Sequence, residues 1–273
     1  MKDGFYYNCA THTADNILNE ISSTYQIDLL NIRWKHFVNL LKEKYSVSIE
    51  PHVFNDPNLN ARLAGVAMLG NYPLIQFNNS IMQSEERKHF TIVHEGVHFF
   101  RHKDDPNAEG ETFTDIIENS AYSPEEQAEE LITNQTASII MLNNSALLAC
   151  MQNRWSYGKI TGFYGMSGSA LFERLVNYLH FNLKIKSESA RYLVGRFRYG
   201  DTVEACGFLP ILTTNFDRFI DWFNDFPLTG NMLDELYLNL GLGFEAPASH
   251  WYQLNHIFSK TNLNASIAAN MQK

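Results

Sequence analysis

The chain has 273 residues, of which 45% are hydrophobic and 19% are charged, and its formal net charge at pH 7 is −9. This composition is typical of a globular protein with a large core, arranged as one large domain or two small ones. The negative charge argues against a sequence-independent grip on nucleic-acid phosphates, so we expect no direct binding of nucleic acid.

The cysteines and the N-terminus indicate the compartment. Cys9, Cys150 and Cys206 lie far apart and form no C-x-x-C pair, which argues against a disulfide framework and against a cysteine-ligated zinc site. Residues 1–10 lack a basic segment followed by an apolar run, and no stretch of about 18 apolar residues occurs. We therefore expect no signal peptide, no membrane-spanning helix and a cytoplasmic location.

Helices are predicted at the beginning of the chain. Thr13 or Asp15 is suited to cap a first helix, and residues 28–44 repeat apolar side chains at helical spacing. These segments are interpreted as scaffold, because nothing in them suggests chemistry.

Short strands follow. Residues 47–53 alternate as a strand, and residues 65–69 and 72–77 are strand-like runs separated by Gly70-Asn71, a hairpin signal. Pro73 fits an edge strand, because proline cannot donate to a sheet ladder. Such an edge could hold an extended peptide by strand addition, or it could have no role in binding substrate.

The sequence His94-Glu95-Gly96-Val97-His98 follows an H-E-x-x-H pattern. Residues four apart on an α-helix lie one turn above each other, so the two imidazoles are predicted to aim at one point. This arrangement is typical of a zinc site and predicts His94 and His98 as ligands. Glu95 is rotated by about 100° from His94 and is placed to act as general base on a water.

The surrounding residues favour one helix. Glu85-Glu86 suit its N-terminal dipole, basic residues 101–103 suit its C-terminus, and Pro106 ends it. The alternative is a buried helix whose histidines are satisfied by hydrogen bonds alone. The polar stretch 103–123 is interpreted either as a loop over the site or as a solvated surface loop.

A third ligand is predicted on a later helix. Ser123 as N-cap, Pro124 in the first turn and Glu126 three residues after the cap form a strong helix start. Glu130 is the favoured ligand, because it shares a stripe with small residues that would let a second helix pack closely; Glu126 is the second choice. His102 ranks lower, because three imidazoles spaced along one straight helix diverge.

Three blocks of the chain resemble the ImmA/IrrE family of zinc metallopeptidases. Residues 89–102 are similar to the family's F-T-x-A-H-E-x-x-H stretch, which often ends in a further histidine. Residues 130–141 are similar to E-x-x-A-N-x-F-A-x-x-L-L-M-P, with Asn134 in place. Residues 163–175 are similar to F-G-V-S-x-x-A-L-x-x-R-L. Order and spacing fit the family over roughly residues 11–200.

The resemblance implies an α+β, zincin-like domain over residues 1–200, with a small sheet, an H-E-x-x-H helix and a ligand-bearing helix. It places the family's metal-binding glutamate on Glu130, although Thr133, Thr136 and Leu142-Asn143 depart from the second block. Residues 201–273 lie outside the resemblance and are predicted to form a mainly helical extension.

The third block, with Leu171, Leu175, Val176 and Leu179 as a packing face, is interpreted as structural rather than as a DNA-reading helix-turn-helix. The resemblance implies a Zn²⁺-dependent endopeptidase, and it implies a repressor-type transcriptional regulator of a mobile element or a stress response as the protein substrate. The alternative is a zinc-containing regulatory protein that binds and inactivates such a partner without cleaving it.

Overall fold

The computed structural model describes residues 2–53, 63–81, 83–105, 112–116 and 123–202, where helices are combined with a small mixed sheet. The predicted α+β class is therefore confirmed. The helices are α1 (Lys2–Tyr25), α2 (Trp34–Glu43), α3 (Glu85–His102), α4 (Pro124–Met141), α5 (Asn144–Gln152), α6 (Tyr157–Tyr164), α7 (Gly168–Asn177) and α8 (Ser187–Arg198). A 3₁₀ turn covers Leu29–Asn31, and a π-helical turn over Tyr178–Asn182 follows α7.

The sheet contains β1 (Ser48–His52), β2 (Leu63–Met68), β3 (Leu74–Asn78) and β4 (Thr112–Ile116), in the order β1-β3-β2-β4. β1 runs parallel to β3, whereas β2 is antiparallel to both β3 and β4. The predicted hairpin is thus present as β2 and β3.

The prediction of an edge strand at Pro73 is wrong. β3 lies between β1 and β2, and Pro73 stands immediately before it. There the missing N–H costs no ladder hydrogen bond, while the Pro73 carbonyl accepts from the Ser48 N–H at 2.9 Å. Within the described residues, the edge strands are β1 and β4.

Two predicted helix starts are also wrong. α1 begins at Lys2, so Thr13 lies inside it and its hydroxyl donates to the Cys9 carbonyl one turn earlier, at 3.0 Å. The predicted helix 28–44 divides into the 3₁₀ turn and α2. α2 begins after Arg33, whose backbone N–H donates to the His36 ring at 2.9 Å in a reciprocal cap.

The polar stretch 103–123, predicted as a loop, contains a strand. β4 pairs with β2 through Phe113 opposite Ala67 and Thr114 opposite Val66. This five-residue segment lies among acidic residues and has only a weak alternation of apolar and polar side chains, so its sequence does not indicate a strand. Residues 106–111 and 117–122 of this stretch lie outside the described part of the chain.

The chain divides into two compact units: one comprises residues 1–146 and 161–170, the other residues 147–160 and the chain from 171 onward. In the first unit, α3 packs on β2 and β3 and also contacts α2 and α4. Gly96 permits a close approach there, since a methyl group at this position would lie 2.6 Å from Leu41 Cδ1 and 2.9 Å from Phe37 Cε1. The glycine inside α3 thus allows α2 to pack closely against this helix.

In the second unit, the predicted packing face is confirmed, because all four of its side chains are buried: Leu171, Leu175, Val176 and Leu179. The predicted C-terminal helices lie outside the described residues, so the boundary at residue 200 stays a prediction. A search of the described helices found none with the length and hydropathy needed to cross a bilayer.

Candidate metal centre

The centre is organised by α3, whose residues from Thr91 to Phe99 are all buried. Ser84 caps the helix by accepting a hydrogen bond from the Arg87 N–H at 3.3 Å, and acidic side chains occupy the first turn. The predicted helix around the H-E-x-x-H sequence is therefore present. Its burial places His94, Glu95 and His98 away from bulk solvent.

His94, His98 and Glu130 bring their ligand atoms together. The two Nε2 atoms lie 3.1 Å apart; His94 Nε2 is 3.2 Å from Glu130 Oε2, and His98 Nε2 is 3.1 Å from Glu130 Oε1. Ligand atoms about 2.1 Å from a tetrahedral ion lie about 3.4 Å from one another. The three side chains therefore form a group that could hold one metal ion.

Electrostatics at this group favour a charged carboxylate. The Glu130 side chain is only 13% exposed, and its burial by itself would raise the pKa. Hydrogen bonds with His94 and His98 outweigh this effect and lower the pKa of Glu130 to about 2. An anionic oxygen pair between two imidazoles is a donor set that suits a divalent cation.

Asn134 of α4 orients the His94 ring through the nitrogen that does not face the ligand group. His94 Nδ1 lies 3.1 Å from the amide oxygen of Asn134, one helical turn after Glu130. Since this oxygen can only accept, the ring donates through Nδ1–H, and its Nε2 lone pair is left facing His98 and Glu130.

Glu95 lies on another side of α3 and packs against β2. A methyl group at Gly65 would lie 2.7 Å from Glu95 Oε1 and 2.5 Å from Thr91 Cγ2. The strand backbone therefore approaches the carboxylate closely, and the pairing of β2 with β4 shifts register between Leu63 and Gly65. Glu95 is fully buried beside the two histidines without belonging to the three-residue ligand group.

The second choice for the third ligand, Glu126, does not join this group. Its carboxylate accepts from the Ser123 backbone N–H at 2.7 Å, while the Ser123 hydroxyl accepts from the Glu126 N–H at 3.3 Å. The predicted capping box is therefore present and occupies this side chain at an exposed helix end.

Sequence reasoning missed Glu129, which precedes Glu130. Arg101 binds its carboxylate through two nitrogens, at 2.8 Å and 2.6 Å, and His102 Nε2 lies 3.1 Å from Oε1. Acidic residues near a helix start are also favoured by the helix dipole, so the run of glutamates gives no specific signal for this residue. His98, His102 and Glu129 form a second His/Glu group of potential metal ligands, next to the first.

Phe113 of β4 was missed as well. Its ring stacks on His98 with a centroid distance of 4.7 Å and on His102 at 4.7 Å. An edge strand of the sheet therefore contacts one of the candidate ligands directly.

Residues 61–176 match the family described as the IrrE N-terminal-like domain, Peptidase_M78. The matched segment includes β2, β3, β4, α3 and α4, and thus every residue of the candidate ligand group. A search of curated proteins found no match. The match confirms the family predicted from the motifs over residues 61–176, which are similar to the Peptidase_M78 metallopeptidases to which the ImmA/IrrE resemblance pointed. The α+β arrangement is zincin-like.

Proposed function

We propose that the protein is a zinc-dependent endopeptidase that hydrolyses a protein substrate. The observation that carries this proposal is the convergence of His94, His98 and Glu130 within 3.2 Å of one another, with Glu95 on the same helix. Two imidazoles and one carboxylate are the donor set that catalytic zinc uses in peptidases, where the fourth position stays open. The family match supports the same reaction class.

Five residues have a role in this proposal. His94, His98 and Glu130 would hold the ion, and Asn134 fixes the His94 tautomer. When bound, Zn²⁺ supplies a Lewis acid that polarises the scissile carbonyl and lowers the pKa of a water toward roughly 7. Glu95 would accept a proton from the attacking water and deliver it to the leaving amine.

The substrate is proposed to bind along β4. Among the described residues this strand ends the sheet order, and it pairs with β2 and contacts His98 through Phe113. An extended peptide added to the open side of such a strand gains main-chain hydrogen bonds while its scissile bond lies near the ligand group.

The resemblance to ImmA/IrrE proteins supports a repressor-type transcriptional regulator of a mobile element or a stress response as the substrate, without direct binding of nucleic acid by the peptidase. Such a substrate implies a cytoplasmic location.

The test uses Glu95→Gln, with Glu86→Gln as matched control, because Glu86 is an exposed acid on the same helix. Each variant is co-expressed with the DNA-binding regulator encoded beside the gene, and fragments are identified by mass spectrometry. Purified protein is analysed for metal before and after exposure to a chelator.

We expect about one zinc per chain in all three proteins, and regulator fragments with wild type and Glu86→Gln but not with Glu95→Gln. If Glu95→Gln still relieves repression, the alternative function of binding without cleavage replaces the peptidase. If wild type neither contains zinc nor takes it up, the metal site itself is refuted.

A further inference from the structure

Glu129 lies beside the proposed ligands and is held by three neighbouring side chains. Arg101 donates to both of its oxygens, at 2.8 Å and 2.6 Å, and His102 Nε2 contacts Oε1 at 3.1 Å. The same Oε1 lies 3.7 Å from His98 Nδ1. One carboxylate thus connects the C-terminal turn of α3 to a candidate ligand.

Glu129 is mainly buried and charged. Its side chain is 23% exposed, and it forms an ion pair with Arg101 at 2.6 Å. A two-nitrogen contact with Arg101 fixes the plane of the carboxylate as well as its charge. The position of Oε1 beside His98 is therefore set by α3 itself.

Each nitrogen of the His98 ring faces a carboxylate, Glu130 at Nε2 and Glu129 at Nδ1. Nε2 faces His94 and Glu130, so a metal-binding ring must carry its proton on Nδ1, which faces Glu129. Phe113 covers the flat side of this ring, with an angle of 13° between the two planes. Stacking limits rotation of the ring, and the carboxylate favours the tautomer that leaves Nε2 available.

We propose that Glu129 is a positioning residue for His98, and that Arg101 and His102 in turn orient Glu129. This inference rests on the proposed role of His98 as a metal ligand. It gives the two histidines different outer partners, a neutral amide for His94 and a carboxylate for His98. Glu129 is not assigned to a second metal ion, because the guanidinium of Arg101 occupies both of its oxygens.

The experiment measures zinc affinity rather than cleavage. Glu129→Gln keeps the shape of the side chain and removes its charge. Glu126→Gln is the matched control, since it removes one charge a single turn earlier on α4 and glutamine also serves in a capping box. Zinc dissociation constants are determined at pH 7 by competition with a chromogenic chelator, together with the stoichiometry and the melting temperature of the metal-free protein.

We expect Glu129→Gln to bind zinc about 10-fold to 100-fold more weakly than wild type, and Glu126→Gln to bind it as wild type does. Arg101→Lys, which keeps the charge but loses the two-nitrogen contact, should fall between them and provides a test if Glu129→Gln does not fold. An unchanged affinity in Glu129→Gln, or in Arg101→Lys if Glu129→Gln does not fold, overturns the inference even if the metal-free protein melts lower.

A stoichiometry of two zinc ions in wild type that falls to one in Glu129→Gln would also overturn it, because Glu129 would then be a ligand. Wild type that binds no zinc removes both this inference and the proposed function. Wild type that binds one zinc, with equal affinity in Glu129→Gln, removes this inference alone. The two failures are therefore distinguishable.

Discussion

Replacing Gly65 with alanine probes how tightly β2 supports Glu95. The added methyl group would lie 2.5 Å from Thr91 Cγ2, 2.7 Å from Glu95 Oε1 and 3.0 Å from Glu95 Cγ. Non-bonded carbon atoms are ordinarily separated by about 3.5–4 Å, so the side chains or the strand must move by about 1 Å. Thr91 and Glu95 are both contacted, so relief of the two clashes requires Glu95 to move together with Thr91, or the strand to shift.

A displacement of about 1 Å at a reacting group costs about 100-fold in rate, so kcat of Gly65→Ala should fall by 10-fold to 100-fold. Zinc content should stay at the wild-type value, because the three atoms nearest to the added methyl group belong to Thr91 and Glu95 rather than to a proposed ligand. Overpacking of this kind costs about 1–3 kcal/mol of unfolding free energy. The assays are steady-state cleavage of the regulator, metal analysis and chemical unfolding.

Two further variants distinguish the effect of the contact with Thr91 from that of the contact with Glu95. Adding Thr91→Ser to Gly65→Ala removes the clash with Cγ2 but keeps the one with Glu95, so stability should recover while kcat stays low. Gly195→Ala is the control, because a methyl group there meets nothing within 4 Å; it should leave kcat unchanged and stabilise α8 by up to about 1 kcal/mol. Wild-type kcat in Gly65→Ala would show that β2 does not position the base.

Two predictions concern stability alone. Gly96→Ala places a methyl group 2.6 Å from Leu41 Cδ1. The cost of overpacking should exceed the gain in helix propensity of about 1 kcal/mol, so the unfolding free energy measured in urea should fall. A more stable variant would contradict this close packing. Lys44 and Tyr45 donate to Glu20, both at 2.6 Å, and these hydrogen bonds outweigh burial to lower the pKa of Glu20 below 4.5. The resulting stability is present above pH 4.5 and is lost as pH falls through the lower folded-state pKa. Urea unfolding of metal-free wild type and Glu20→Gln between pH 7 and pH 3 should therefore give values that converge in acid; a constant difference would refute this reasoning.

Local sequence signals were sufficient for the parts of the site that lie on single helices. The spacing of His94 and His98 follows from helical geometry alone, and the Ser123-Pro124-Glu126 start predicted the first turn of α4. The same start also explains why Glu126 lies apart from the histidines, since its carboxylate is used in the cap. The metal-ligand roles themselves stay predictions.

Contacts between distant segments were not predictable in this way. Glu129 and Arg101 are 28 residues apart, and no periodic pattern within either helix indicates that they meet. β4 has five residues inside an acidic stretch, so pairing with β2 rather than its own propensity determines its structure. Gly65 did carry a usable signal, because glycine inside a strand often marks a close approach of another group.

The adjacency of Glu129 and Glu130 restricts how α4 can move. Successive residues on a helix project about 100° apart, and here they reach two different partners, the Arg101 guanidinium and the histidine pair. A rotation of α4 about its axis, or a slip by one residue, would withdraw both carboxylates together. Loading of the proposed metal site would then report the axial register of this helix.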